Sequence, residues 1–236
     1  MTSQRSIQLI TFDLDGTMVD TASEIAEAAN RTLRDVGLPT RPLGEVTVLI
    51  GHGTRELMKG LLAQAREAGH GAQVDSLDLE QVMQCFEGHY HDTTGTDSQL
   101  YPGCLEGLQR LQAAGVQMAC VTNKEFRFAE RVLEVTGLAP FFRIVIGGDS
   151  LPEKKPSPLV IDHCLQALSV DKYQAAHVGD SSIDVDTAKR AGVKAWALPY
   201  GYNGGKAIET AEPDQVFADI NAIADLVLAQ PAAAAA

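Results

Sequence analysis

Two carboxylates stand two residues apart in the segment Thr11-Phe12-Asp13-Leu14-Asp15-Gly16-Thr17, directly after an apolar run. In extended backbone, side chains two positions apart face the same side, and Gly16 allows the chain to turn sharply. One carboxylate in such a crevice can act as a nucleophile, while the other protonates a leaving oxygen and later activates water. Taken alone, an Asp-Gly pair is a common turn signal. The chemical reading therefore depends on what else shares the crevice.

Three further segments supply what that reading needs. Val121-Thr122-Asn123-Lys124 follows an apolar run, and a hydroxyl beside an amide can hold phosphoryl oxygens, although Thr and Asn are also frequent helix caps. Lys154-Lys155-Pro156-Ser157-Pro158 offers a lysine held before a proline, a fixed positive charge. Gly179-Asp180-Ser181-Ser182-Ile183-Asp184 again follows an apolar run. Its carboxylates are hard oxygen ligands suited to Mg2+, or simply acidic residues that favour a helix start. A glycine-rich turn, Ile50-Gly51-His52-Gly53-Thr54-Arg55, enters a helix. Its backbone N–H groups and positive helix end could meet a substrate carboxylate, which makes Gly51, His52, Gly53 and Arg55 candidate specificity contacts.

The elements that must position these residues follow from periodicity. Short apolar runs at residues 7–12, 116–121, 144–146, 176–178 and 195–197 read as buried strands. Helical patterns lie between most of them, at 105–114, 125–135, 157–168 and 185–191. Strands alternating with helices predict an α/β fold, a parallel sheet covered on both faces, and ligands of such sheets gather at the carboxyl ends of the strands. Residues 18–95 break the alternation. Thr21-x-x-Glu24 reads as a capping box, with Ile25, Ala29, Leu33 and Val36 at helical spacing and Gly37 with Pro39 as the stop. Further helical patterns follow at 56–68 and 78–90, with no strand expected. The chain is thus expected to be a discontinuous α/β core (residues 1–17 and 96–230) carrying an all-helical cap (18–95). Residues 231–236, alanines after a proline, read as a disordered tail.

Composition narrows the function classes. A chain of 236 residues with 45% apolar residues can bury a sizeable core. The formal charge of −12 argues against nucleic acid and anionic membrane as partners, since both call for basic surface. It also repels anionic substrates, so a phosphate site needs a cation to reverse the field locally. Cys85, Cys104, Cys120 and Cys164 are scattered without C-x-x-C spacing, which fits reduced thiols and a cytoplasmic location. The N-terminal residues resemble no secretory signal.

Taken in order, the four strand-end segments resemble the motifs of the haloacid dehalogenase-like (HAD) hydrolase superfamily. The resemblance implies a Rossmann-like core and an aspartyl-phosphate mechanism. It implies that Asp13 is the nucleophile and Asp15 the general acid/base. Thr122, with Asn123 beside it, would bind the phosphoryl group. Lys155, with Lys154 as its rival, would neutralise nucleophile and phosphate. Mg2+ would sit on Asp13, the Asp15 carbonyl and Asp180, supported by Asp184, and the helical insert would close over the site. Superfamily members that cleave carbon–halogen bonds lack the second aspartate, so Asp15 favours phosphoryl transfer. The Ile50-Gly51-x-Gly53 turn and Gly147-Gly148-Asp149-Ser150-Leu151-Pro152 resemble the phosphoglycolate phosphatase branch, which implies 2-phosphoglycolate as substrate. A sugar-phosphate phosphatase, a β-phosphoglucomutase-like phosphotransferase and an idle protein that only binds a phosphorylated metabolite are the alternatives. The partner expected is a small phosphorylated metabolite, and the chain a monomer or homodimer.

Overall fold

The computed structural model describes residues 6–229, so the expected tail at 231–236 lies outside the described residues. In chain order the elements are β1 (Leu9–Phe12), β2 (Val19–Asp20), α1 (Ala22–Asp35), α2 (Leu43–Thr47), α3 (Thr54–Ala65), α4 (Gly71–Asp75), α5 (Leu79–Thr93), β3 (Gln99–Leu100) and α6 (Cys104–Ala113). They continue with β4 (Gln117–Val121), α7 (Phe126–Val135), β5 (Ile144–Ile146), α8 (Leu159–Leu168), β6 (Ala175–Gly179), α9 (Ser182–Ala191), β7 (Lys194–Ala197), β8 (Gln215–Val216) and α10 (Ile220–Leu228).

All four residues of β1 are fully buried, so this strand has no solvent face. A strand of that kind needs a neighbour on each edge and cover on each face. It pairs in parallel with β4 on one side (Phe12 opposite Cys120) and with β6 on the other (Phe12 opposite Val178). The full order is β5-β4-β1-β6-β7-β8, every pair parallel. Alternate residues serve the two faces, as the two-residue pleat requires. Ile10, Phe12, Met118 and Cys120 pack with Leu108 of α6, Val132 of α7 and Ile223 of α10. Leu9, Ala119 and Val121 pack with Ile161 and Cys164 of α8 and Val185 of α9. The fold is therefore the Rossmann-like α/β sandwich expected.

The helical insertion has a core of its own. Ile25, Leu33, Leu57, Met58, Leu61, Phe86 and Tyr90 form one buried cluster, joined by Phe128 and Tyr202 from the sheet unit. None of the described helices is long and apolar enough to cross a membrane.

Besides the short elements α2, α4 and β8, which the sequence did not predict, three details depart from the sequence expectation. First, a short strand does occur after Thr17: β2 pairs antiparallel with β3, Val19 opposite Leu100, and closes the stem on which α1–α5 stand. Two residues are too few to show a period, so the pairing is visible only in three dimensions. Second, Thr21 precedes α1 as expected, but no capping box forms. Its hydroxyl donates to Asp15 at 2.6 Å, and Glu24 instead accepts from Ser98 Oγ (2.7 Å) and the Asp97 N–H (3.1 Å). The Thr21 N–H, which Glu24 would hold in a capping box, donates instead to the Tyr202 hydroxyl at 2.9 Å. Third, a further helix, α10, closes the apolar face of the sheet, with Asp219 accepting from the Ala222 N–H at 2.7 Å as its N-cap.

Candidate active site

The topology itself marks a crevice. From β1 the chain passes through the insertion to β4 and β5 on one side, then crosses to β6 and β7 on the other. Such a reversal beside a central strand leaves a gap at the carboxyl ends. Asp13 follows β1, Thr122 follows β4 and Asp180 follows β6. The Asp13 N–H is held by the Val178 carbonyl (2.9 Å) and the Thr122 N–H by the Ile146 carbonyl (2.9 Å), so the sheet ladder runs directly into the site.

Asp13, Asp180 and Asp184 are all buried, with oxygens from the three lying within 4.8 Å of one another. Lys155 Nζ lies 2.7 Å from both Asp13 Oδ1 and Asp184 Oδ1. Asp184 Oδ1 also meets His177 Nε2 (3.2 Å), whose Nδ1 meets Thr11 Oγ1 (2.8 Å). Asp184 Oδ2 accepts from the Ser181 N–H (3.1 Å) and Oγ (2.6 Å). Asp180 Oδ1 accepts from Thr17 Oγ1 and Oδ2 from the Tyr202 N–H, both at 2.5 Å. Gly16 (φ +87°) and Gly201 (φ +88°) pass against this carboxylate, and a Cβ on either would collide with Asp180 Oδ2. Both positions thus need glycine for conformation and for space.

These partners set the charge states. Burial, together with Asp184 and Asp15, pushes the Asp13 carboxyl up from 3.8 to about 7 although Lys155 pulls it down. Burial and the neighbouring Asp184 and Asp13 likewise hold Asp180 well above the carboxylate range. For Asp184, burial is outweighed by Lys155 and His177, and its carboxyl lies well below that range. Burial lowers His177. Among these groups two acids are held against their tendency to ionise, which is the electrostatic condition a bound cation relieves. All the donors are hard oxygens, a set that fits a divalent cation of the Mg2+ class.

Asp15 occupies different surroundings. Its Oδ1 accepts from Lys124 Nζ (2.8 Å) and Thr21 Oγ1 (2.6 Å). Lys124 is buried, and its ammonium sits 5.0 Å from the centroid of the Tyr90 ring. Burial works against that charge, but Asp15 and Tyr90 outweigh it and raise the lysine. Tyr202 ties this half of the site to the metal-type half. Its hydroxyl accepts from the N–H groups of Thr21 (2.9 Å) and Ala22 (3.0 Å) at the start of α1, and its own N–H holds Asp180.

A narrow cavity of about 40 Å3 lies between the sheet and the insertion, smaller than the roughly 300–1,000 Å3 of open small-molecule sites. Asp13, Asp15, Thr122, Asn123 and Lys124 form its floor, and Ile25, Ile50, Gly51, Gly53, Thr54, Leu57 and Tyr90 its roof. Asn123 Nδ2 donates to the carbonyls of Gly51 and Lys155, both at 3.0 Å, and so joins floor, roof and lysine loop.

Of the residues singled out from the sequence, Asp13, Asp15, Thr122, Asn123, Lys155, Asp180 and Asp184 converge here. Lys155 rather than Lys154 reaches Asp13; Lys154 Nζ is spent on the His52 carbonyl at 2.7 Å. Gly51 and Gly53 line the cavity through backbone. His52 and Arg55 do not line it: both are exposed, and Arg55 is ion-paired with Glu80 on the outside of α3. Helical phase explains this, because Thr54, Leu57, Met58 and Leu61 face inward and place residue 55 outward. Thr17, Thr21, Lys124, His177 and Tyr202 went unassigned from sequence. Thr17 and Lys124 were adjacent to motif residues, whereas Tyr202 carried no local signal. The four cysteines are free, and burial pushes the Cys104 and Cys164 thiols up to about 12, which suits structural rather than reactive roles.

Comparison with known proteins agrees with this geometry. Residues 10–198 match the haloacid dehalogenase-like hydrolase family. The chain is 40% identical over 195 residues to a plasmid-encoded phosphoglycolate phosphatase of Cupriavidus necator, covering 83% of this chain and 82% of that one. It is 38% identical over 224 residues to a phosphoglycolate phosphatase of Vibrio cholerae, covering 95% and 98%. The crystal structure of a predicted phosphoglycolate phosphatase from Haemophilus somnus superposes with a TM-score of 0.87 at 31% identity, covering 93% of this chain and 97% of that one. With the match spanning the sheet, the insertion and every strand end that carries a site residue, the chain belongs to the haloacid dehalogenase-like hydrolase family.

Proposed function

We propose that this chain is a Mg2+-dependent phosphomonoesterase that converts 2-phosphoglycolate to glycolate and phosphate through a phosphoryl group carried on Asp13. The observation that carries this reading is the division of labour between two carboxylates of one turn. Asp13 shares Lys155 with the buried acids, while Asp15 faces Lys124 and Thr21. Carboxylates so close in sequence with separate surroundings are how a site assigns a nucleophile and an acid.

In this reading an Asp13 oxygen attacks phosphorus and the ester P–O bond breaks, while Asp15 gives its proton to the departing glycolate oxygen. Asp15 then takes a proton from water, the water oxygen attacks phosphorus, and the P–O bond to Asp13 breaks. Thr122 and Asn123 hold phosphoryl oxygens at the floor of the cavity, and Lys155, beside Asp13, neutralises the nucleophile and the phosphoryl group. Mg2+ would be held by Asp13, Asp180 and the Asp15 carbonyl, with Asp184 in support, and when bound supplies positive charge to the phosphoryl oxygens. Residues 18–95 act as the cap, whose roof residues exclude water from the reacting group. The substrate rests on the two relatives named above and on a roof in which Ile25, Ile50 and Leu57 offer no hydrogen bonds to a polyhydroxylated sugar.

Phosphate release from 2-phosphoglycolate with Mg2+, compared with hexose phosphates, tests the proposal. We expect the highest kcat/KM on 2-phosphoglycolate and none above background after chelation. A higher kcat/KM on a hexose phosphate would replace the substrate, and turnover by Asp13→Asn at the wild-type rate would end the mechanism.

A further inference from the structure

We propose that Lys124 is the carboxylate subsite of this enzyme, the group that selects a phosphate ester whose acid lies one methylene from the leaving oxygen. The inference rests on the reading of the substrate as 2-phosphoglycolate. Among the described residues that line the cavity, Lys124 alone carries a cationic side chain. Lys155 is engaged by Asp13 and Asp184, and Arg55 and His52 lie outside.

Position matters more than charge. The leaving oxygen must reach Asp15 to be protonated, and Lys124 Nζ lies 2.8 Å from that carboxylate. In 2-phosphoglycolate one methylene separates the leaving oxygen from the carboxylate. A cation touching the acid is therefore within reach of the substrate's own carboxylate, and a longer spacer carries that carboxylate past it. The ammonium has three donors; Asp15 and the Tyr90 hydroxyl take two, which leaves one for a further acceptor. Lys124 is only 4% exposed, so its position is set by packing before substrate arrives, and a desolvated ion pair discriminates more strongly than an exposed one. The apolar side chains of Ile25 and Leu57 would meet the methylene.

The test compares three esters: 2-phosphoglycolate, ethyl phosphate, which replaces the carboxylate by methyl, and the phosphate ester of 3-hydroxypropionate, which moves it one carbon away. The wild type is expected to favour 2-phosphoglycolate over both in kcat/KM by about tenfold or more. Lys124→Met, shown folded by its circular dichroism melt, is expected to lose about 10- to 100-fold more on 2-phosphoglycolate than on ethyl phosphate. Equal losses on the two esters would overturn the proposal, since Lys124 would then act only on Asp15. So would a wild type that hydrolyses the longer ester as well as 2-phosphoglycolate, a result that needs no variant. A wild type inactive on 2-phosphoglycolate but active on other esters would instead remove the substrate reading on which the subsite depends.

Discussion

Thr21 Oγ1 donates a 2.6 Å hydrogen bond to Asp15 Oδ1, so the residue that starts the first helix of the insertion also holds the candidate acid. The candidate site is thus shared between core and insertion at the carboxylate proposed as its acid. Thr21→Val keeps the shape and removes the hydroxyl. We expect kcat to fall about tenfold, the scale of one hydrogen bond to a charged group, while the melting temperature changes little. An unchanged kcat would show that Lys124 alone orients Asp15.

Asp15→Ala removes the acid itself. Both formation and hydrolysis of the phosphoenzyme should slow, by about 10²- to 10⁴-fold. Rapid-quench measurement of each step checks this, and unaltered rates would take the acid/base role from Asp15.

Asp13→Asn should abolish turnover while changing the dependence of stability on pH. The folded Asp13 carboxyl is raised from 3.8 to about 7, so the folded state holds its proton where the unfolded chain has lost it. Stability therefore falls as pH rises from about 4 to 7, at most by roughly 4 kcal/mol, since each pH unit between those two values contributes about 1.4 kcal/mol. The lowered Asp184 acts in the opposite sense, giving stability above the unfolded value that is lost at more acid pH. Denaturant melts of metal-free protein between pH 4.5 and 7.5 should show a shallower slope for Asp13→Asn than for wild type. Identical slopes would show that Asp13 ionises freely.

Mg2+ should raise the melting temperature of the wild type. At a concentration about 100 times its dissociation constant the gain is about 2.7 kcal/mol, or roughly 5–10 °C for a chain of this size. Asp180→Asn should lose most of that increase, and retention of the full increase would place the ion elsewhere.

Gly16→Ala tests the clasp around Asp180. The residue stands at φ +87° and its new Cβ would meet Asp180 Oδ2. We expect a loss of about 1–2 kcal/mol from the left-handed backbone alone, together with weaker activation by Mg2+. Normal activation in a destabilised variant would separate the turn's conformational need from its contact with the carboxylate.

Much of the core could be read without coordinates, because buried strands and amphipathic helices write their periods directly into the chain. The strand Ile144–Ile146 falls where its apolar run lies, and β1, β4, β6 and β7 each fall within a residue or two of theirs. What escaped were elements too short for a period, such as β2 and β3, the C-terminal helix α10, and contacts between residues far apart. Tyr202 reaches Thr21 across 181 positions, and nothing in its neighbourhood marks it.

The same division holds at the turn that carries Asp13 and Asp15. Asp13, Asp15, Thr122 and Asp180 were legible because each chemical type sits where an apolar run ends, and a parallel sheet brings such ends together; Lys155, beyond the loop that follows Ile146, was legible from the proline after it. The sequence alone left Asp13 and Asp15 as near-equivalent acids of one turn, their roles distinguished only by resemblance. Tertiary structure separated them by giving one Lys155 and the other Lys124 and Thr21. It also turned Arg55 outward and Lys124 inward. Both outcomes depend on how helices and strands rotate against one another in the packed state, which local spacing does not encode.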